Sequence, residues 1–128
     1  TPFMSEKDQA DKVATLINKM ISSGYPASDI VVLSPKRDEH SIARYISDHQ
    51  LAGIAPLDEC SKKQVGYTTI HSFKGLEAPF IIITDIRDLL KTESRKLLYI
   101  ATTRPTDSFQ IYLSPEATAQ LPELLSEK

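Results

Sequence analysis

Two short, almost wholly apolar runs constrain the fold most: Asp29-Ile-Val-Val-Leu-Ser34 and Phe80-Ile-Ile-Ile-Thr84. A strand with one face in water alternates apolar and polar side chains, whereas an unbroken β-branched run has to be covered on both faces. Segments of helical period lie around these runs. Val13, Leu16, Ile17, Met20 and Ile21 recur at helical spacing downstream of Ser5, with Gly24 placed to stop the helix and Pro26 beyond it. Ile42, Tyr45 and Ile46 predict a second helix from about Asp38 to His49, and Leu97, Leu98, Ile100 and Ala101 a third over residues 93–103. Gly66–Ile70 and Phe109–Leu113 read as further strands, and Pro115 as the opening of a last helix. Helices alternating with buried strands predict an α/β domain with a mostly parallel sheet and helices on both faces. Such sheets gather ligands at the carboxyl ends of their strands, which draws attention to the loops after Ser34, after Ile70 and after the 93–103 helix.

A chain of 128 residues suits one domain with one core. Its formal charge of −2 gives no global basic signature, but the charge is uneven. Residues 59–104 hold eight Lys/Arg against five acids, a segment of +3 set against −5 elsewhere, which points to an anionic ligand met by the middle of the chain. The single cysteine, Cys60, forms no internal disulfide and builds no metal cluster, so a cytoplasmic setting is expected. His40, His49 and His71 show no metal-ligand spacing, and no metal site is expected from them. No apolar stretch reaches membrane-spanning length. The chain starts without Met and runs almost directly into a helix, so it reads as a piece of something longer.

The segment Thr68-Thr-Ile-His-Ser-Phe-Lys-Gly-Leu-Glu77 concentrates chemistry at the end of a strand. Hydroxyls, Lys74 and free backbone donors at a strand-to-helix junction suit phosphate, and a carboxylate such as Glu77 accepts from a sugar hydroxyl. The same residues also fit a helix N-cap cluster with Lys74 and Glu77 merely solvated. Arg104 likewise has a bland reading as a cation at a helix C-terminus. Tyr99 is expected in the core rather than as a platform for base stacking.

Thr69, His71, Lys74, Gly75, Leu76 and Glu77 occupy the positions of motif V in UvrD/Rep-type superfamily 1 DNA helicases, and the segment resembles that motif. Leu97-Leu-Tyr-Ile-Ala-Thr-Thr-Arg104 is similar to their motif VI, and Pro26-x-x-Asp-Ile-Val-Val-Leu33 resembles the strand entering motif IV. The three stand in order over nearly the whole chain. The resemblance implies the second RecA-like domain of such a helicase, spanning residues 1–128, with ATP and Mg²⁺ held jointly with a first, P-loop domain and single-stranded DNA running across both. It implies an arginine finger at Arg104, a nucleotide-binding role for Gly75 and Glu77, and contacts from Thr69, His71 and Lys74 to the DNA backbone. The family's arginine after the motif IV strand has no direct counterpart in Ser34-Pro35-Lys36-Arg37, where Lys36 or Arg37 is the expected substitute. Pro105 and Thr106 stand where the family has Ala and a basic residue. Only some fifteen to twenty residues separate the second helix from Gly66, so the large helical domain that UvrD and Rep place there is expected to be missing or reduced to a stub.

No Gly-x-x-x-x-Gly-Lys-Ser/Thr occurs, and Asp85 is not part of an Asp-Glu pair. Without a cradle for the β- and γ-phosphates, the isolated chain is expected not to hydrolyse ATP. The alternative to half a motor is a binding or regulatory module with a degenerate helicase fold. A Rossmann-like domain is disfavoured, since no Gly-x-Gly-x-x-Gly follows the first strand.

Overall fold

Strand β1 (Ile30–Ser34), buried at all five positions, is the centre of the molecule in a computed structural model that describes residues 6–35, 41–59, 61, 63–86, 92–114 and 117–119. Around it β2 (Ile54–Pro56), β3 (Val65–Thr69), β4 (Ala78–Ile86) and β5 (Pro105–Leu113) complete a sheet of order β2-β3-β1-β4-β5. Every pairing is parallel. The two-residue period of a strand sorts the apolar runs onto opposite faces. Ile30, Val32 and Ile82 face Ala10, Val13 and Ile17 of α1 (Glu6–Ser22) and Ile42, Ala43 and Ile46 of α2 (Ile42–Asp48). Val31, Leu33, Ile81 and Ile83 face the other way, against Leu97, Leu98 and Ala101 of α3 (Thr92–Thr102) and against Ile70 and Phe73. The expected three-layer α/β architecture is therefore present, with the apolar runs as the double-sided middle layer.

Helix ends follow local chemistry. Gly24, at φ +94°, ends α1 in a Schellman arrangement: Tyr25 N–H donates to the Met20 carbonyl and Gly24 N–H to that of Ile21, each at 3.0 Å. Gln50, at φ +53°, does the same for α2, with Leu51 N–H donating to Ile46 at 3.0 Å, although no glycine marks that stop. Ser41 caps the start of α2, its hydroxyl accepting from Arg44 N–H at 3.2 Å. The predicted start at Asp38 lies outside the described residues, as does Pro115, while 117–119 are helical.

Three differences from the sequence reading have simple causes. β2 is too short for a period, and its Pro56 argues against a strand except at a sheet edge, where it sits. β5 starts at Pro105, four residues earlier than expected, again on an edge strand where a missing N–H costs nothing. Tyr99 is not in the core: it is 71% exposed. At 100° per residue it lies two positions from the fully buried Ala101, which turns it to the outer face of α3. Among the described residues no helix is long and apolar enough to cross a membrane.

Tyr112 ties β5 to α1, its hydroxyl donating to the Lys12 carbonyl over a long 3.5 Å, and burial pushes its pKa above the ordinary 10.0. Tyr25 is raised too, by desolvation and then by Asp107 and Asp29. A raised folded-state pKa favours the protonated form, so this stability is complete below the unfolded value and lost as pH rises through the folded one. Urea unfolding across alkaline pH is expected to show stability falling above about pH 10. Tyr112→Phe is expected to make that fall shallower while costing under about 1 kcal/mol at neutral pH. An alkaline slope identical in the variant would remove Tyr112 from the effect.

Candidate functional site

After β3 the chain turns at once. Ser72 N–H donates to Thr69 Oγ1 at 3.1 Å, the two hydroxyls lie 2.9 Å apart, and Phe73 N–H reaches the Thr69 carbonyl at 3.2 Å. This is the beginning of a helix, capped as the sequence suggested, but it makes only a turn. Leu76 N–H donates to Phe73 and Gly75 takes φ +86°, after which the chain enters β4. The predicted strand-to-helix junction is thus a strand-to-strand crossover, packed on the sheet by Ile70 and Phe73, which are 0% and 2% exposed. His71, Ser72, Lys74, Gly75, Leu76 and Glu77 stay exposed on its outer side.

One hydrogen closes the Thr69–Ser72 hydroxyl pair, so one hydroxyl proton remains for a ligand. Ser72 is therefore as much part of this turn's donor set as Thr69. The sequence carried a signal for it, a hydroxyl three residues after a strand-terminal threonine.

Gly75 is required by backbone geometry rather than by space. A Cβ built there meets nothing within 4 Å, but φ +86° is a conformation that L side chains rarely adopt. Gly75→Ala is expected to lower stability by about 1–2 kcal/mol in a denaturant titration, and Gly75→Asn by less, since Asn tolerates the left-handed region. Equal losses for both would mean that the side chain, not φ, is the problem.

Arg104 lies two residues beyond α3. The helix closes with Thr102 Oγ1 donating to the Tyr99 carbonyl at 3.1 Å and Thr103 Oγ1 to that of Ile100 at 2.8 Å. Arg104 N–H reaches Ala101 at 3.3 Å, so its backbone, more than its charge, completes the cap. Its side chain is half-buried, with Nη2 donating to Thr103 Oγ1 at 3.3 Å. The buried Nε has no hydrogen-bond partner among the described residues. A guanidinium kept partly dry with donors unspent is suited to phosphate oxygens.

Topology sorts these residues onto two edges of the sheet. Ser34 pairs with Thr69, and Ile70 N–H donates to the Ser34 carbonyl at 2.9 Å, so Thr69 and the start of the turn lie at the carboxyl edge. A crossover between parallel strands must return the chain to where strands begin. Ala78 accordingly pairs with Pro105, and Ala78 N–H donates to the Arg104 carbonyl at 3.3 Å. Glu77, next to Ala78, is thereby brought beside Arg104 at this amino edge, while Gly75 lies on the way there from Thr69. The loop after α3 therefore does not join the other two at the carboxyl edge, as the general rule for parallel sheets led one to expect. Lys36 and Arg37 lie outside the described residues; Ser34 and Pro35, which lead to them, are at the carboxyl edge.

Asp85, which the sequence marks only as lacking a Glu beside it, is a buried hydrogen-bonding centre. It is 2% exposed, at φ +63°, and it accepts from Ser34 Oγ at 2.7 Å, Thr84 Oγ1 at 2.9 Å, Ile42 N–H at 3.2 Å and Gln9 Nε2 at 3.3 Å. Its own N–H donates to Gln9 Oε1 at 2.8 Å. Two helices and two strands converge on one carboxylate at the carboxyl edge. A charge directly after an Ile-Ile-Ile-Thr run was the available signal, because a buried carboxylate has to be hydrogen-bonded.

Residues 66–108 match the family described as the UvrD-like helicase C-terminal domain. The match begins within β3 and ends within β5, so it holds the Thr69–Glu77 turn and Arg104. No curated protein matches the chain. Among solved structures, the C-terminal domain of a possible DNA helicase from Lactobacillus plantarum WCFS1 superposes with a TM-score of 0.70, covering 91% of this chain and 75% of that one at 15% identity. That identity makes the likeness one of fold. The sequence pattern and the fold agree: residues 66–108 match the model of the UvrD-like helicase C-terminal domain, and the parallel sheet with helices on both faces has the α/β RecA-like fold.

Proposed function

We propose that this chain is the second motor domain of an ATP-dependent DNA helicase or translocase, working with a P-loop domain of the same protein. The observation that carries the reading is the placement of Glu77 beside Arg104 by the Ala78–Arg104 backbone bond, inside the segment that matches the helicase family. These residues fit a nucleotide. Glu77 is an exposed carboxylate for ribose hydroxyls, Gly75 lets the backbone approach closely, and Arg104 offers an unspent donor from a half-buried guanidinium. ATP with Mg²⁺ supplies the phosphoryl group, and the P-loop domain supplies the cradle for its phosphates.

In this reading Arg104 acts from the far side of the domain interface, stabilising charge that develops on the transferring phosphoryl oxygens, a role worth about 10³–10⁵ in rate where it has been dissected. Thr69, Ser72, His71 and Lys74 meet the backbone of single-stranded DNA, positioning the strand without reading its sequence. Lys36 or Arg37 is the further cation toward the nucleotide. Because nucleotide and strand are met by residues of one sheet, closure of the domains around ATP is transmitted to the track.

The test is DNA-stimulated ATP hydrolysis by the full-length protein. Turnover that rises on adding single strands supports the motor. Strand binding without any hydrolysis would replace it with a binding module of helicase fold.

A further inference from the structure

A cavity of about 550 Å³ opens at the carboxyl ends of β2 and β3, beside the turn that the proposed function assigns to the DNA strand. Its walls are Leu57, Tyr67 and Leu76, its rim carries the hydroxyls of Thr68, Thr69 and Ser72, and Asp58 and Glu59 close one side. Among the described residues no lysine or arginine lines it, although the segment around it carries net positive charge. Neither carboxylate has a hydrogen-bond partner among the described residues. Leu76 is 50% exposed, an apolar surface left uncovered next to polar groups.

These features conflict with a phosphate and agree on something else. A phosphodiester inside the cavity would face two carboxylates with no cation among the described lining residues, which is repulsive at contact distance. A flat, partly apolar group with N–H donors on its edge meets every wall: leucine side chains cover its faces, and carboxylates accept from its amine. Acceptance by Asp or Glu from an exocyclic amine is an established mode of base recognition. The volume lies within the range of pockets that enclose small ligands.

We infer that this cavity takes an unstacked nucleobase bearing an exocyclic amine from the single strand whose backbone passes Thr69 and Ser72, with Asp58 and Glu59 accepting from the amine. The inference rests on the strand-binding reading of that turn and adds a base preference to it. The phosphate contacts hold the strand for any sequence, and the cavity discriminates at one position.

Cytosine and uracil differ at ring position 4, amine against carbonyl, so oligodeoxycytidine and oligodeoxyuridine of equal length isolate the contact. Binding of the full-length protein is measured for both at mildly alkaline pH, where cytosine is neutral. Wild type is expected to bind the cytidine strand about tenfold more tightly. The double variant Asp58→Ala, Glu59→Ala removes exposed side chains, and its cytidine-to-uridine ratio is expected to fall to about one while uridine-strand binding persists. A wild-type ratio near one overturns the inference and leaves the motor intact. A preference that survives in the double variant overturns it equally, by locating base selection elsewhere. If neither strand binds, the strand-binding reading fails and the cavity's role fails with it.

Discussion

In the full-length protein, Arg104→Ala is expected to lower DNA-stimulated ATP turnover at least about a hundredfold, with nucleotide binding largely kept. The split follows from where such a residue acts. An arginine that meets charge developing in the transition state contributes little to ground-state binding, so its loss falls on kcat and leaves KM nearly unchanged. Arg104→Lys is expected to rescue only a small part, because an ammonium cannot reproduce the planar fork. Turnover like wild type in the alanine variant would return Arg104 to its backbone role as the cap of α3.

Folding gives the same variant an independent readout. The described hydrogen bonds of the Arg104 side chain amount to one of 3.3 Å to Thr103, and its buried Nε has no described partner. Burying a polar atom without a partner is unfavourable, so removing it is expected to leave stability within about 0.5 kcal/mol of wild type, or to raise it. A variant at least as stable as wild type but inactive would mark Arg104 as a residue kept for its partner domain rather than for the isolated fold. A large loss of stability would instead mean that the falling rate reports unfolding.

The motif residues were legible because chemistry and chain order coincide in them; their arrangement was not. The apolar runs at 30–33 and 80–83 dictated a sheet covered on both sides, and Gly24 dictated the end of α1. Nothing local distinguished the two edges of the sheet, so Arg104 and Thr69 read as neighbours until the pairing of Ala78 with Pro105 separated them. Tyr99 was misread for a different reason. Inside Leu-Leu-Tyr-Ile-Ala it looks apolar, and only its angular offset from Ala101 turns it outward. β2 carries no period at three residues. Gln50 ends α2 in a conformation usually marked by glycine, and that substitution hides the stop.

Asp85→Ala is expected to lower the stability of the chain by about 3–5 kcal/mol, a large share of the roughly 5–15 kcal/mol that holds a domain folded. Three terms add. Hydrogen bonds to an ionised group are worth about 1.5–3 kcal/mol each, donors from α1, β1 and α2 lose their shared acceptor, and alanine is disfavoured at φ +63°. Asp85→Asn separates these contributions. Asn tolerates the same backbone conformation and keeps an acceptor where Ser34 Oγ, Thr84 Oγ1 and Ile42 N–H converge on Oδ2. Its amide nitrogen then falls against Gln9 Nε2, at the weakest of the contacts, 3.3 Å, so a loss of about 1–2 kcal/mol is expected. Urea midpoints for the two variants test the order. If alanine costs less than about 1 kcal/mol, the carboxylate is a bystander to a core that stands without it. If asparagine costs as much as alanine, the charge rather than the geometry holds the network, and α1, β1, β4 and α2 are joined at the carboxyl edge by an anion that the apolar runs alone could not replace.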